Sequence, residues 1–265
     1  MKSEVEQGRY DRKKTESIFQ HTLKWPESRE PYRKMYLLKA IKSIIRFLVR
    51  IILRILPFPI ILALVKDSPR LSFYIPSNRN VIFEKYLGDI KVKINTCYRG
   101  EREMLSGYYE PLTLSLIDRF VKKGDICIDI GANVGAITFA LAKKVGRDGK
   151  IFAFEPAGFL FKRLNENINL NPELKRIIYP FKLGISDKEG ILYFAEDEQN
   201  PGNVVNIEFL GVKKYKSEPV TVTTIDKFFQ GEPPKQINFV KIDVECMEYE
   251  VIKGGLITWR KYLPI

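Results

Sequence analysis

Histidine is almost missing from this chain: there is one, His21, in 265 residues. A Ser-His-Asp triad, an imidazole general base or a histidine-built metal cage therefore has nothing to use in the body of the sequence, and no metal centre is expected. Cysteine is also scarce. Cys97, Cys127 and Cys246 are an odd number, widely spaced and without a C-x-x-C pair, which argues against a disulfide framework or a thiolate metal site. They read as free thiols in a reducing, cytoplasmic compartment. Acidic residues are outnumbered by basic ones, 32 against 44, but the deficit is local. Residues 1–66 carry fifteen Lys and Arg against six Asp and Glu, an excess of nine, whereas residues 67–265 carry 29 against 26. A nucleic-acid binder spreads cations over its folded body, and no finger, homeodomain or RNP-type pattern occurs, so no nucleic-acid partner is expected.

With 45% hydrophobic residues, a chain of this length can bury one large domain and something extra at the front. Residues 1–34 are polar and without periodicity, a loosely ordered tail. Residues 35–66 change character. From Tyr36 to Leu56, Lys39, Lys42, Arg46, Arg50 and Arg54 recur every three or four positions and fall within an arc of about 120°, with Leu, Ile, Val and Phe around the rest of the wheel. Pro57 and Pro59 stop the helix. Three readings are open. One is a core helix with a solvated basic stripe. Another is a spanning helix over 44–65, whose apolar gain of about 5–10 kcal/mol is matched by about 8–10 kcal/mol for three arginines. The third, preferred here, is an interfacial helix with apolar residues in the acyl boundary and its stripe on anionic headgroups, at about 1 kcal/mol per cation.

Residues 67–104 alternate in short pieces such as DIKVKI and predict a small antiparallel lead-in. Residues 105–265 form the main domain. An amphipathic helix over 111–121 precedes strand 126–130, helix 135–145, strand 150–155, helix 157–169 and strand 177–183. A strand-rich insertion, clearest at 191–195 and 219–223, leads to strand 237–243 and helix 247–254. Strands alternating with helices at this spacing imply parallel pairing, hence an α/β, Rossmann-like doubly wound sheet with ligands at the strands' carboxyl ends.

The first of these strands ends in DIGANVG. Asp129 lies beside its carboxyl end, and the bend from Gly131 through Asn133 to Gly135 lets backbone approach a ligand closely. Twenty residues after Gly135 the second strand ends at Glu155, where a carboxylate can accept both hydroxyls of a ribose. A dinucleotide site wants G-x-G-x-x-G; here the spacing is G-x-x-x-G with an acid just upstream, which repels pyrophosphate and suits the ammonium of an amino-acid moiety. That favours S-adenosylmethionine over NAD.

Together DIGANVG, the FEP ending of the second strand, LGISDKEG, TVTTID and FVKIDVECMEYEVIKGG resemble the FkbM family of S-adenosylmethionine-dependent methyltransferases over residues 105–260. The resemblance implies a class I methyltransferase fold and O-methylation of a hydroxyl on a sugar, glycan or lipid-linked acceptor. Asp129, Gly131, Asn133 and Gly135 would line the methionine end of the cofactor, Glu155 its ribose, and Ser186 with Asp187 its adenine edge, an ordinary turn being the alternative for that pair. Tyr108 and Glu110 would close over it, or pack on the surface. Where the family has Gly after Asp-Val-Glu, this chain has Cys246, expected to narrow the space there.

Lys241, Asp243 and Glu245 alternate at the end of the fourth strand and point to one face, towards the cleft. Without histidine, a desolvated carboxylate is the natural base for a hydroxyl acceptor, Asp243 first and Glu245 second. Lys241 serves catalysis or a structural ion pair with Asp243. Glu248 and Glu250 suit the start of the following helix. Strand 237–243 is expected to be an exposed edge, the sheet being C-terminally truncated unless a partner or further segment covers it. The competing functions are a non-catalytic membrane-bound remnant and, less favoured, an NAD-dependent oxidoreductase.

Overall fold

A computed structural model of the chain describes residues 30–57, 60–61, 63–64, 75, 79–107, 109–196, 204–206 and 217–265. Two compact units are present, Met1–Ile52 and Leu53–Ile265. The first is represented by most of helix α1, Glu30–Ile55. It starts about six residues before the predicted position because Pro31 is tolerated in a first turn, where its missing N–H has no partner to lose. Among the described residues no helix is long and apolar enough to cross a membrane.

The second unit opens with an antiparallel hairpin, β1 (Asn80–Tyr86) and β2 (Ile90–Asn95), as expected for the lead-in. Helices α2 (Arg99–Leu105) and α3 (Pro111–Phe120) follow. Then come β3 (Ile126–Ile130), α4 (Ala136–Val145), β4 (Lys150–Phe154), α5 (Gly158–Asn169) and β5 (Ile178–Phe181). Strands β3, β4 and β5 pair in parallel in that order, and β10 (Phe239–Ile242) pairs in parallel with the other side of β3. The chain thus runs outward from β3 in one direction and returns to its opposite flank. That reversal is a topological switch point, and it lies between the ends of β3 and β10.

Alternation along β3 explains its sequence. Ile128 and Ile130 join a core with Phe154, Ile225, Phe229 and Val251. Asp129 is on the other face, fully buried. The insertion forms a second sheet of β6 (Gly184–Ile185), β9 (Ser217–Thr223), β7 (Gly190–Glu196) and β8 (Val204–Asn206), adjacent in that order. Its Leu192, Phe194, Val220 and Val222 pack with Met247. Short helices α6 (Ile225–Phe228), α7 (Glu248–Lys253) and α8 (Leu256–Tyr262) complete the unit.

The β10 edge differs from the bare strand anticipated. Ile265 donates its N–H to Asn238 O at 3.1 Å and accepts from Val240 N–H at 2.9 Å, one parallel bridge against β10.

Candidate functional site

The turn after β3 is held from both sides. Gly131 and Ala132 donate to Phe154 O at the end of β4, at 3.0 and 2.9 Å, and Asp243 donates its N–H to Ile130 O at 3.0 Å. Gly131 has φ +82°, and a Cβ there would lie 1.9 Å from Asp243 O. Glycine is therefore demanded twice, by the left-handed backbone and by the close approach of β10. Gly135 has φ +98°, and its Cβ would press on Leu164 and Phe139 at 2.8 Å.

Between these strand ends opens a cleft of about 830 Å³, mouth included. Its lining includes the apolar Leu160, Leu183, Ile185, Leu192, Phe194 and Val222. Its polar lining comprises Tyr109, Asn133, Glu155, Lys241, Asp243 and Glu245. Of the predicted site residues the structure thus brings Gly131, Asn133, Glu155, Lys241, Asp243 and Glu245 together on one surface.

Glu155 is buried at the end of β4 and aimed into the cleft. Its Oε2 accepts the Asn133 N–H at 2.8 Å and its Oε1 the Ala157 N–H at 2.9 Å. Burial pushes its carboxyl up to about 7 against the pull of those two N–H groups and of Lys241. Each oxygen keeps lone-pair capacity for one further donor.

Lys241 is held by one hydrogen bond and two ion pairs. Its Nζ donates to Gly131 O at 2.7 Å and lies 3.2 Å from Asp129 Oδ1 and 3.6 Å from Asp243 Oδ2. Burial pulls its ammonium down, but Asp129 and Asp243 outweigh this and leave it above the usual lysine range. Asp129 does not reach the cleft. Its other oxygen accepts Thr138 Oγ1–H at 2.6 Å, so its carboxylate braces Lys241 and α4 and has no cavity-facing role. The ion-pair reading of Lys241 and its place in the cleft hold at once.

Several expectations are displaced. Ser186 and Asp187 are outside the cleft: Ser186 is buried with its N–H on Thr223 O at 2.9 Å, and Asp187 bonds Lys253 at 2.7 Å, which holds its carboxyl below the usual range. Leu183, Gly184 and Ile185, just upstream, line the cleft instead. Tyr108 lies outside the described residues. Its neighbour Tyr109 lines the cleft, its phenol raised well above the usual value by burial and then by the carboxylate of Glu110, to which it hydrogen-bonds. Glu110 stands behind Tyr109 as the residue preceding α3, at φ 38°, a left-handed backbone rare outside glycine. Asp243 is not desolvated, its side chain being 56% exposed. Cys246 is exposed and narrows nothing; what favours glycine there is its φ of 74°, directly after Glu245 at 50°. Glu248 accepts the Val244 N–H at 3.1 Å beside the start of α7, as its position suggested.

The sequence profile of the methyltransferase FkbM domain matches residues 129–265. No curated protein matches the chain. Among solved structures, the chain is similar to methyltransferase FkbM from Methylobacillus flagellatus KT at 12% identity, covering 62% of this chain and 42% of that one with a TM-score of 0.39. It is also similar to a SAM-dependent methyltransferase from Aquifex aeolicus at 22% identity, covering 29% and 39%, with a TM-score of 0.26. The chain spans about two fifths of the length of these solved proteins. At such scores the architecture is read from the strand order itself.

Proposed function

Since the chain belongs to the methyltransferase FkbM domain family, we propose that it binds S-adenosylmethionine in the cleft between β3 and β10 and methylates a hydroxyl of a sugar, glycan or lipid-linked acceptor. The observation that carries the cofactor reading is Glu155. It is a buried carboxylate at the end of the second parallel strand, fixed by two backbone N–H groups and with a free lone pair on each oxygen towards the cleft. Ribose hydroxyls fit that arrangement. The apolar walls of Leu183, Ile185, Leu192 and Phe194 fit a flat base, and the Gly131 turn admits the amino-acid end.

When bound, this cofactor supplies an electrophilic methyl group on a sulfonium. The chain's own part is positioning and proton management. Asp243, at the open side of the cleft and turned by Lys241, orients the acceptor hydroxyl and takes its proton. Its exposure means that the arriving acceptor supplies the desolvation. Glu245 stands second to it. For α1, the proposal is an anionic membrane surface as partner, supported by the recurrence of Lys39, Lys42, Arg46, Arg50 and Arg54 among Leu, Ile, Val and Phe in its sequence.

Calorimetry with S-adenosylmethionine and S-adenosylhomocysteine, followed by incubation of the full chain with methyl-labelled cofactor and a cell extract, tests the reading. Saturable binding with label entering carbohydrate or lipid is expected. Binding without transfer would leave a non-catalytic remnant, and absence of binding would refute the cofactor assignment.

A further inference from the structure

The matched segment begins at Asp129, yet the cofactor turn is also held by residues upstream of it. Helix α5 starts shortly after Glu155 and carries the buried Asn167; a second buried asparagine, Asn171, follows just past its end. Both fasten the outer edge of β2. Asn171 accepts the Lys91 N–H at 2.9 Å and donates to Lys91 O at 2.7 Å and to the backbone Asn167 O at 2.8 Å, so Lys91 is its hairpin partner. Asn167 accepts the Lys93 N–H at 2.7 Å, but its amide donates in a different direction, to Val134 O at 2.9 Å. Val134 sits inside the Gly131–Gly135 turn, between Asn133, which bonds Glu155, and Gly135, which starts α4. The hairpin is fixed independently as well, by Tyr86 Oη donating to Ala136 O at 3.2 Å and by Asn95 N–H donating at 2.6 Å to Glu101, which is paired with both guanidinium nitrogens of Arg163.

We infer that Asn167 is a positioning residue of the cofactor site, through which the β1–β2 hairpin holds the Gly131–Gly135 turn in its binding conformation. The inference rests on the cofactor reading above. A planar amide with acceptor and donor engaged on opposite sides transmits the place of one backbone to another, because losing either bond leaves a buried polar group unpaired. Asn171, just past the helix end, is the internal control: same residue type, equally buried, same partner strand, no bond to the turn.

The test compares the full-length chain with Asn167→Ala, the isosteric Asn167→Asp, and Asn171→Ala. Affinity for S-adenosylhomocysteine is measured by calorimetry, fold by circular dichroism, and amide exchange at 133–135 by mass spectrometry or NMR. Both Asn167 variants should bind at least about tenfold more weakly and exchange faster at 133–135, while Asn171→Ala melts earlier yet binds within about twofold of wild type. Equal losses for the two positions, or unchanged binding in the Asn167 variants, would overturn the inference. If the Asn167 variants do not fold, the wild type decides. Ligand should then slow exchange of the Lys93 amide more than that of Lys91, and equal slowing overturns the assignment. If wild type binds no S-adenosylhomocysteine, the cofactor reading falls, and faster turn exchange in Asn167→Ala than in Asn171→Ala still supports the positioning role, whereas equal exchange refutes it.

Discussion

Affinity for the cofactor should depend on pH through one carboxyl. Glu155 has its folded-state pKa raised by burial to about 7, and a ribose whose hydroxyls donate to it needs the ionised form. With half-ionisation near 7, about a tenth of the sites are ionised at pH 6 and about nine tenths at pH 8, so S-adenosylhomocysteine should bind roughly tenfold more tightly at pH 8, about 1.4 kcal/mol. The same shift acts on stability in the opposite sense. Because the folded pKa exceeds the unfolded one, the folded state holds an extra proton between about 4.5 and 7. Stability is then fully present below the lower value and is lost as pH rises through the upper, by about 3 kcal/mol in all. Ligand should therefore raise the melting temperature most at pH 8, where the free protein has lost this contribution. Calorimetry at pH 6, 7 and 8 on wild type and Glu155→Gln is the assay; the Gln variant should bind weakly and without this pH trend. A flat wild-type profile, or an identical trend in Glu155→Gln, would refute the assignment of Glu155.

Asp243→Asn keeps shape but not proton-accepting power, so turnover should fall by about two to four orders of magnitude with cofactor affinity little changed, as read from single-turnover kinetics and calorimetry. Gly131→Ala drives a methyl into Asp243 O and strains a left-handed backbone, and should cost about 2–4 kcal/mol in a denaturant melt together with cofactor binding. Cys246→Gly relieves a φ of 74° at an exposed position and should stabilise by about 1 kcal/mol, or a few degrees in melting temperature; a lower melting temperature would contradict it. Replacing Lys39, Lys42 and Arg46 together with Gln should release the chain from anionic vesicles in a sedimentation assay, and salt should weaken wild-type binding. Retention indifferent to both would discard the membrane proposal.

Parallel pairing and the place of Glu155 were readable because alternation, turn glycines and strand-to-helix spacing are local signals. Asp129 was legible as important but not for its partner, since Lys241 is 112 positions away and only the pairing of β10 with β3 brings the two together. Tyr108 and Tyr109 are indistinguishable in a string; Tyr109 lines the cleft, beside the left-handed Glu110, and no propensity predicts that backbone for glutamate. In LGISD the apolar Leu183 and Ile185 line the cleft, whereas Ser186 and Asp187 bond β9 and α7, and a string does not show where along the segment that change falls. Asp243 was expected to be buried because its strand is; it lies just past the strand's end, where the sheet stops shielding it.

The Gly131 turn is finished only when Lys241 reaches across 110 positions to its carbonyl. On a ribosome, everything through β5 can emerge and pair while that carbonyl remains without its ammonium partner. Closing so long a loop is slow, and its entropy is recovered only when β10 docks. The turn is thus completed only after β10 has been made, and a nascent chain halted before β10 would hold three of the four described parallel strands but lack the Lys241 brace on its Gly131 turn.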